Sequence, residues 1–328
     1  MPRLSRKPSP QTHMSEADLP STAALECEFA LFAADEHPLE QVSGEVHCNC
    51  DRCERWRSFV RTGNNHQPHY LVVTREVVSR LSDWLCDEAS AQDGELRVLE
   101  VGAGDGTLCF HLQRDLADRA GGSTVRLLAT DSGTRGLRPK AGAKVEQHDA
   151  RNAVAAFEPH IVICSFMPLG QDWTSAFRAC AAVHAYLLLG EKDDGCCGSP
   201  WATWGFLADG DEDAAALDVS STSGSEVESE AADNDNDGRA SSPRSTAKRP
   251  LISRRSEPAA SRSWRKVYTY EPARTPWGID GWERVSADVA VDRLSRVLLG
   301  CTDEPWNSRR HSCATLFRRV RRAPPAQL

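Results

Sequence analysis

A glycine-rich stretch at residues 96–108, LRVLEVGAGDGTL, has the residue types and spacing of a loop that binds a nucleotide-like ligand. Gly102, Gly104 and Gly106 follow directly after an apolar run and precede a helix-like pattern. Glycines permit a tight turn and let backbone N–H groups approach a ligand closely. The N-terminus of the following helix adds a partial positive charge. The stretch therefore predicts a cofactor site between a strand and a helix.

The spacing of the loop excludes two common classes of nucleotide site. A dinucleotide-binding loop reads G-x-G-x-x-G, but position 107 is Thr. The phosphate-binding loop of nucleoside triphosphatases ends in Lys followed by Ser or Thr, and no such pair follows here. The pattern that remains is G-x-G-x-G, with Glu100 two residues before the first glycine.

Four segments in register resemble the class I S-adenosylmethionine-dependent methyltransferases. VLEVGAGDGTL is similar to the first motif of that family, and LLATDSG puts Asp131 at the end of the second strand. VEQHDARN puts Asp149 after the third strand, and HIVICSFMPLG is similar to the fourth-strand motif beside the reactive methyl group. The resemblance covers residues 77–207 and, more loosely, residues 263–322.

The resemblance implies S-adenosylmethionine as the cofactor and a role for each matching residue. Asp131 would hold the ribose hydroxyls, and Asp149 with Ala150 would hold the adenine. Glu100 would anchor the amino group of the cofactor through a water molecule. The remaining loop residues would cradle the methionine part and the ribose: Gly102, Ala103, Gly104 and Gly106. The alternative is that both aspartates are ordinary turn residues.

The acceptor side of the predicted site is less well defined. Methyltransferases that act on amino groups of adenine or glutamine tend to have Asn, Asp or Ser followed by Pro-Pro-aromatic after the fourth strand. This chain has Ser165 there, followed by Phe-Met-Pro, so that chemistry is not carried over. Ser165 is a candidate catalytic residue, and a strand-end serine bonded to backbone is the alternative.

A second candidate segment, GEKDDGCCGSPWATWGF at residues 190–206, follows the predicted fifth strand. Glu191 is its candidate catalytic residue, and Asp194, Trp201 and Trp204 are its candidate substrate-binding residues. Acids and indoles together at the end of a strand suit a cationic or planar acceptor. The alternative is a packed loop whose tryptophans belong to the core.

The stretch HCNCDRC contains four side chains of metal-ligating type within seven residues: His47, Cys48, Cys50 and Cys53. Cys50-x-x-Cys53 has the spacing of zinc ligands. A structural zinc site needs further ligands, however, and the sequence offers no clean second pair. The pattern therefore leaves zinc as an alternative to a metal-free turn.

Strands alternating with helices predict an α/β fold with a doubly wound, mainly parallel, Rossmann-like sheet of seven strands. The predicted strands are LRVLEV, VRLLAT, AKVEQH, PHIVICSF and YLLLGE, then WERVSADV and an antiparallel CATLFRRV. Helices are predicted for EVVSRLSDWLCDEA, TLCFHLQRDLADRA and DWTSAFRACAAVHA, and a helix or turn for AVDRLSRVLL. They cover both faces of the sheet.

The chain divides by composition into a core and poorly apolar segments. Residues 1–45 have the composition of a mostly disordered tail with a possible short element at LECEFALFAA. Residues 46–90 are predicted to be an extension with the Cys-rich turn and an amphipathic helix. Residues 91–207 form the cofactor-binding core, which residues 263–322 complete, and residues 323–328 are a tail. Residues 208–262 are charged and poor in large apolar side chains, which predicts a disordered insertion.

Bulk properties limit the setting and the partners. Twelve cysteines scattered along the chain indicate a reducing, intracellular, cytoplasmic setting, with organelle targeting as the alternative. The apolar runs are too short to cross a membrane, and the formal net charge of −8 disfavours a general nucleic-acid coat.

The leading hypothesis is a methyltransferase whose acceptor, a small molecule or a protein, is unidentified. The alternatives are a catalytically degenerate scaffold or regulatory protein, and an RNA-modifying methyltransferase that uses the basic stretches RRSEPAASRSWRK and RRVRRA. The sequence does not define the oligomeric state.

Overall fold

The computed structural model describes residues 19–42, 45–60, 71–119, 124–136, 139, 142–193, 195–206, 272–285 and 313–320. The chain divides into two units, and all of these residues belong to the unit that comprises residues 1–208 and 270–328. The predicted charged insertion, the predicted helix or turn at 290–299 and residues 1–18 lie outside the described residues.

The described strands form a hairpin and a seven-stranded sheet. The hairpin joins β1 (Glu40–Val42) and β2 (Glu45–His47). The sheet strands are β3 (Leu96–Val101), β4 (Val125–Asp131), β5 (Val145–Gln147), β6 (Ile161–Ser165), β7 (Ala185–Gly190), β8 (Trp282–Val285) and β9 (Cys313–Arg319). Their order is β5-β4-β3-β6-β7-β9-β8.

The pairing of these strands confirms the predicted fold class. All pairs from β5 across to β7 are parallel, whereas β9 runs antiparallel to both β7 and β8. The chain goes outward from β3 to β4 and β5, then returns to β6 on the other side of β3. The carboxyl ends of β3 and β6 therefore flank the point where strand order reverses, which is where ligands bind in open α/β sheets.

Helices cover both faces of the sheet. The described α-helices are α1 (Thr22–Phe29), α2 (Asp51–Val60), α3 (Arg75–Ser90), α4 (Thr107–Asp118), α5 (Ala150–Phe157), α6 (Thr174–Ala179) and α7 (Pro276–Ile279), of which α3 to α7 contribute side chains to the cores on the sheet faces. Successive strand residues point to opposite faces, so Val98 packs in the core beneath α3 and α4, whereas Leu99 packs in the core beneath α5 and α6. The sheet is thus buried on both sides and holds its strand ends in fixed positions.

One helix differs from its prediction. The helix expected for residues 172–185 is reduced to α6, because Cys180 adopts an extended backbone that turns the chain towards β7. The possible short element predicted at LECEFALFAA overlaps α1, in which Leu25 and Phe29 are buried. Both side chains pack against Trp56 of α2, a contact between distant residues that local composition does not reveal.

Among the described residues, none of the helices combines the length and the apolar character needed to cross a membrane.

Candidate functional site

The glycine loop leaves β3 at its carboxyl end and leads directly into α4. Gly102, Gly104 and Gly106 all have positive φ, at 64°, 59° and 77°. A Cβ on Gly102 would lie 2.9 Å from Cζ3 of Trp173, and one on Gly106 would lie 2.6 Å from Cγ2 of Val145. Glycine is therefore required at both positions, for backbone conformation and for space.

Asp131, at the end of β4, fixes the middle of this loop. Its Oδ2 accepts a hydrogen bond from the Gly104 N–H at 3.0 Å, and its Oδ1 accepts one from the Gly133 N–H at 2.8 Å. An ionised carboxylate has about four acceptor sites, so two remain for a ligand. Asp131 is half-buried, which leaves it in reach of a ligand above the loop.

Glu100 lies beneath the loop and is only 3% exposed. Its Oε2 accepts a hydrogen bond from the Cys109 N–H of α4 at 3.1 Å. Burial raises the pKa of this carboxyl to about 8, since the ionised form loses its hydration. The expected contact with an amino group of a cofactor stays a prediction.

Asp149 is exposed and caps α5. Its Oδ1 accepts hydrogen bonds from the Asn152 and Arg151 N–H groups, each at 3.0 Å, and its Oδ2 accepts one from the Asn152 side chain. These bonds, led by that from the Asn152 backbone, hold the pKa of Asp149 below its usual range. Ala150 is the first residue of α5, where backbone N–H groups have no partner within a helix. The predicted adenine contact of both residues is untested.

Two candidate catalytic residues lie at the carboxyl ends of neighbouring strands, β6 and β7. Ser165 ends β6 and pairs in register with Leu189, two residues before Glu191. The Ser165 Oγ is buried and finds no hydrogen-bond partner among the described residues. The buried Glu191 accepts the Cys196 N–H through Oε2 at 3.0 Å, whereas its Oε1 has no partner within the described part of the chain.

The predicted substrate-binding residues are placed differently from one another. Trp204 is 1% exposed and donates from Nε1 to the Cys197 carbonyl at 2.6 Å, so it belongs to the core and this geometry gives its predicted substrate contact no support. Trp201 is half-buried. Asp194 lies outside the described residues.

Sequence reasoning missed Trp173 and Phe166 as parts of this edge. Trp173 follows β6 and lies against Gly102, at the point where strand order reverses. Phe166 has a φ of 52°, a conformation that is uncommon for a residue with a side chain and that often marks a functional site. Phe166 lies within the fourth-strand motif and Trp173 three residues after it, which was the available signal, but tryptophans and phenylalanines are ordinary core residues.

The Cys-rich stretch gathers three of its four predicted ligands with a histidine that sequence spacing did not suggest. Cys48, Cys50 and Cys53 lie around the ring of His37, and the four ligand atoms are all within 4.8 Å of one another. His47 ends β2, and its side chain is outside the described part of the structure. Among the described side chains, His37 is the histidine that lies with the three cysteines.

Comparisons with known proteins give a limited result. No protein-family model matches this chain, and no curated protein matches it. The CMeT domain of citrinin polyketide synthase is similar over 37% of this chain and 36% of its own, with 16% identity and a TM-score of 0.27. An S-adenosylmethionine-dependent methyltransferase from Agrobacterium tumefaciens is similar over 38% of this chain and 47% of its own, with 12% identity and a TM-score of 0.27. The CurJ carbon methyltransferase is similar over 35% of this chain and 35% of its own, with 11% identity and a TM-score of 0.25. The chain thus spans less than half of each structure, and at these TM-scores the likeness carries no argument about its function.

Proposed function

We propose that this chain binds S-adenosylmethionine at the glycine loop and transfers the methyl group to an acceptor beside the ends of β6 and β7. The observation that carries the proposal is the bond between Asp131 and the Gly104 N–H. It joins a loop of positive-φ glycines to a carboxylate at the end of the adjacent strand.

The free acceptor sites of Asp131 suit a ribose diol. A carboxylate that accepts two hydroxyl hydrogen bonds forms charge-assisted bonds, which are stronger than neutral ones. The phosphate-binding fingerprint of dinucleotide folds is absent, because Thr107 stands where its third glycine would be. A cofactor with a ribose but no phosphate fits this combination.

When bound, S-adenosylmethionine supplies an electrophilic methyl group on a sulfonium sulfur. The chain has to orient the cofactor, exclude water and align an acceptor lone pair with the methyl carbon. Trp173 lies against Gly102 and would shield this space from solvent. We assign to Ser165 and Glu191 the polar contacts with the acceptor, and to the Glu191 carboxylate the proton that the acceptor releases.

The unpaired polar atoms support this assignment on the acceptor side. A buried hydroxyl or carboxylate oxygen without a hydrogen bond costs about 1–3 kcal/mol. Within the described part of the chain, Ser165 Oγ and Glu191 Oε1 are both without a hydrogen bond, and both lie at the edge of the sheet where ligands bind. An acceptor with a hydroxyl or amino group would supply their missing partners.

The two other hypotheses have weaker support. The basic stretch at residues 254–266 lies outside the described residues. In the second basic stretch, Arg318 pairs with Glu88, and Arg319 donates to the Val183 carbonyl at 3.0 Å. Both guanidinium groups thus have partners within the fold, so they give the hypothesis of an RNA-modifying enzyme no support. A degenerate scaffold would bind the cofactor without turnover.

Calorimetric titration of the full chain with S-adenosylhomocysteine tests the proposal. We expect saturable binding at one site per chain, with no binding of NAD⁺ or ATP at the same concentrations. A folded sample that binds NAD⁺ or ATP instead, or none of the three ligands, would reject it.

A further inference from the structure

A cluster of one histidine and three cysteines lies in the N-terminal part of the described chain, apart from the glycine loop. His37 Nδ1 is 3.3 Å from the Sγ of Cys53, 3.5 Å from that of Cys50 and 3.7 Å from that of Cys48. We propose that these four residues form a structural zinc site of the Cys₃His type. The inference does not depend on the proposed methyltransferase activity.

The distances fit a single tetrahedral zinc ion. With Zn–S bonds of about 2.3 Å and a Zn–N bond of about 2.0 Å, tetrahedral angles put the nitrogen about 3.5 Å from each sulfur. The three separations between His37 Nδ1 and the sulfurs are centred on this value. The histidine is therefore placed relative to the three cysteines as in a tetrahedral zinc site.

The far side of the histidine ring is also arranged for metal binding. His37 Nε2 lies 3.0 Å from the Ala30 carbonyl oxygen, and a carbonyl only accepts hydrogen bonds. Nε2 must therefore carry the proton, which leaves the Nδ1 lone pair directed towards the three sulfurs. Zinc-ligating histidines usually donate their second ring N–H to a carbonyl or carboxylate in this way.

Cys50 directly precedes α2 (Asp51–Val60), and Cys53 lies in the first turn of that helix, so two of the proposed ligands come from one helix start. On binding Zn²⁺, the three thiols release their protons to solvent, so that three thiolates and a neutral histidine surround the ion. Nothing is oxidised or reduced, and the complex carries one net negative charge.

A disulfide explains the cluster less well than a metal does. One disulfide would join two of Cys48, Cys50 and Cys53 and leave the third as a thiol. It would also give no reason for the buried His37 to direct one nitrogen at all three sulfurs. Four convergent ligand atoms, three of them sulfur, are typical of closed structural zinc sites without an open coordination position.

Zinc at this site would stabilise the packing of α1 and α2 on each other and on the residue that follows β6. It joins the turn that contains His37 to α2, whose Trp56 packs on Phe29 of α1 at a ring-centroid distance of 5.2 Å. Phe166, directly after Ser165, packs against the apolar cluster that contains Phe29 and Trp56. Loss of zinc should therefore be detectable both in the N-terminal helices and at the end of β6.

Metal analysis of the full chain, purified without chelator, gives the first test. We expect about one zinc per chain, and X-ray absorption at the zinc edge should show three sulfur ligands and one nitrogen ligand. Folded protein without stoichiometric metal, or with the cluster cysteines joined in a disulfide, overturns the proposal. A zinc bound mainly by oxygen ligands overturns it as well.

Matched variants identify the ligands. His37→Ala and Cys53→Ser should lose zinc or bind it at least tenfold more weakly, whereas His37→Cys should restore it as a four-thiolate site. His47→Ala and Cys27→Ser, which change a histidine and a cysteine that are not among the four proposed ligands, should keep one zinc per chain. Full zinc occupancy in His37→Ala, or its loss in His47→Ala, would contradict the assignment.

A second readout applies if the variants fold poorly. Zinc can be removed from the wild-type chain with a mercurial reagent and a chelator, followed by hydrogen-exchange mass spectrometry. We expect loss of protection in peptides that cover α1, α2 and residues 165–168, with the glycine loop unchanged. Unchanged exchange throughout these peptides would contradict a structural role for the metal.

Discussion

The two halves of the candidate site lie on one edge of the same sheet but are organised differently. On the cofactor side, Asp131 and Glu100 are bonded to backbone N–H groups of the glycine loop and α4. On the acceptor side, Ser165 Oγ and Glu191 Oε1 are buried without a partner among the described residues. The cofactor half is thus held in shape by its own hydrogen bonds, whereas the acceptor half has polar groups that a ligand would satisfy. The comparison predicts that changes on one side affect cofactor binding and changes on the other do not.

The largest effect should follow from Asp131→Ala. The change removes the proposed ribose contact and the bond that holds Gly104, and hydrogen bonds to charged groups contribute about 1.5–3 kcal/mol each. We expect the affinity for S-adenosylhomocysteine to fall about a hundredfold, since 1.4 kcal/mol corresponds to about a factor of ten. Calorimetric titration measures it, and Glu146→Gln, an exposed acid in β5, should bind like the wild type. Equal affinity in Asp131→Ala would place the cofactor elsewhere.

Gly102→Ala should have the next largest effect. A side chain at positive φ costs about 1–2 kcal/mol, and the added Cβ would lie 2.9 Å from the Trp173 ring. We expect about tenfold weaker binding of S-adenosylhomocysteine by calorimetric titration. Gly136→Ala is the matched control, because Gly136 has a φ of 63° with no atom near the added Cβ. The loop interpretation fails if the two variants bind equally well.

Glu100→Gln should change the pH dependence of stability. The folded-state pKa of about 8 lies above the ordinary value of 4.5, so the folded state binds more protons than the unfolded state between these values. The contribution of Glu100 to stability is therefore present at low pH and is lost as pH rises towards about 8. Urea denaturation at several pH values should show a smaller decline for Glu100→Gln than for the wild type. Parallel curves would contradict the burial of Glu100 as an acid.

The smallest effects should come from the acceptor side. Ser165→Ala removes a hydroxyl that has no hydrogen-bond partner among the described residues, so the free energy of unfolding should stay within about 0.5 kcal/mol of the wild type or rise. Glu191→Gln keeps the shape of the side chain and removes its charge. Both variants should bind S-adenosylhomocysteine within twofold of the wild type. A tenfold loss of affinity in either one would remove the distinction between the two halves.

The same contrast explains what could be predicted from the sequence. The glycine loop, Asp131 and the order of strands and helices follow from local patterns, because consecutive residues determine a turn, a strand end or an amphipathic face. His37, Trp173 and the burial of α1 depend on contacts between segments far apart in the chain. The spacing of Cys48, Cys50 and Cys53 left zinc as an alternative to a metal-free turn, and no local rule connects these cysteines with a histidine 11 residues before the first of them.

A crystal structure of the full chain with S-adenosylhomocysteine tests the central claim most directly. We predict that the ribose hydroxyls lie within hydrogen-bond distance of the Asp131 carboxylate and that the sulfur lies between the glycine loop and the end of β6. Ligand density away from the loop, or an adenosine group whose ribose does not contact Asp131, would contradict the account.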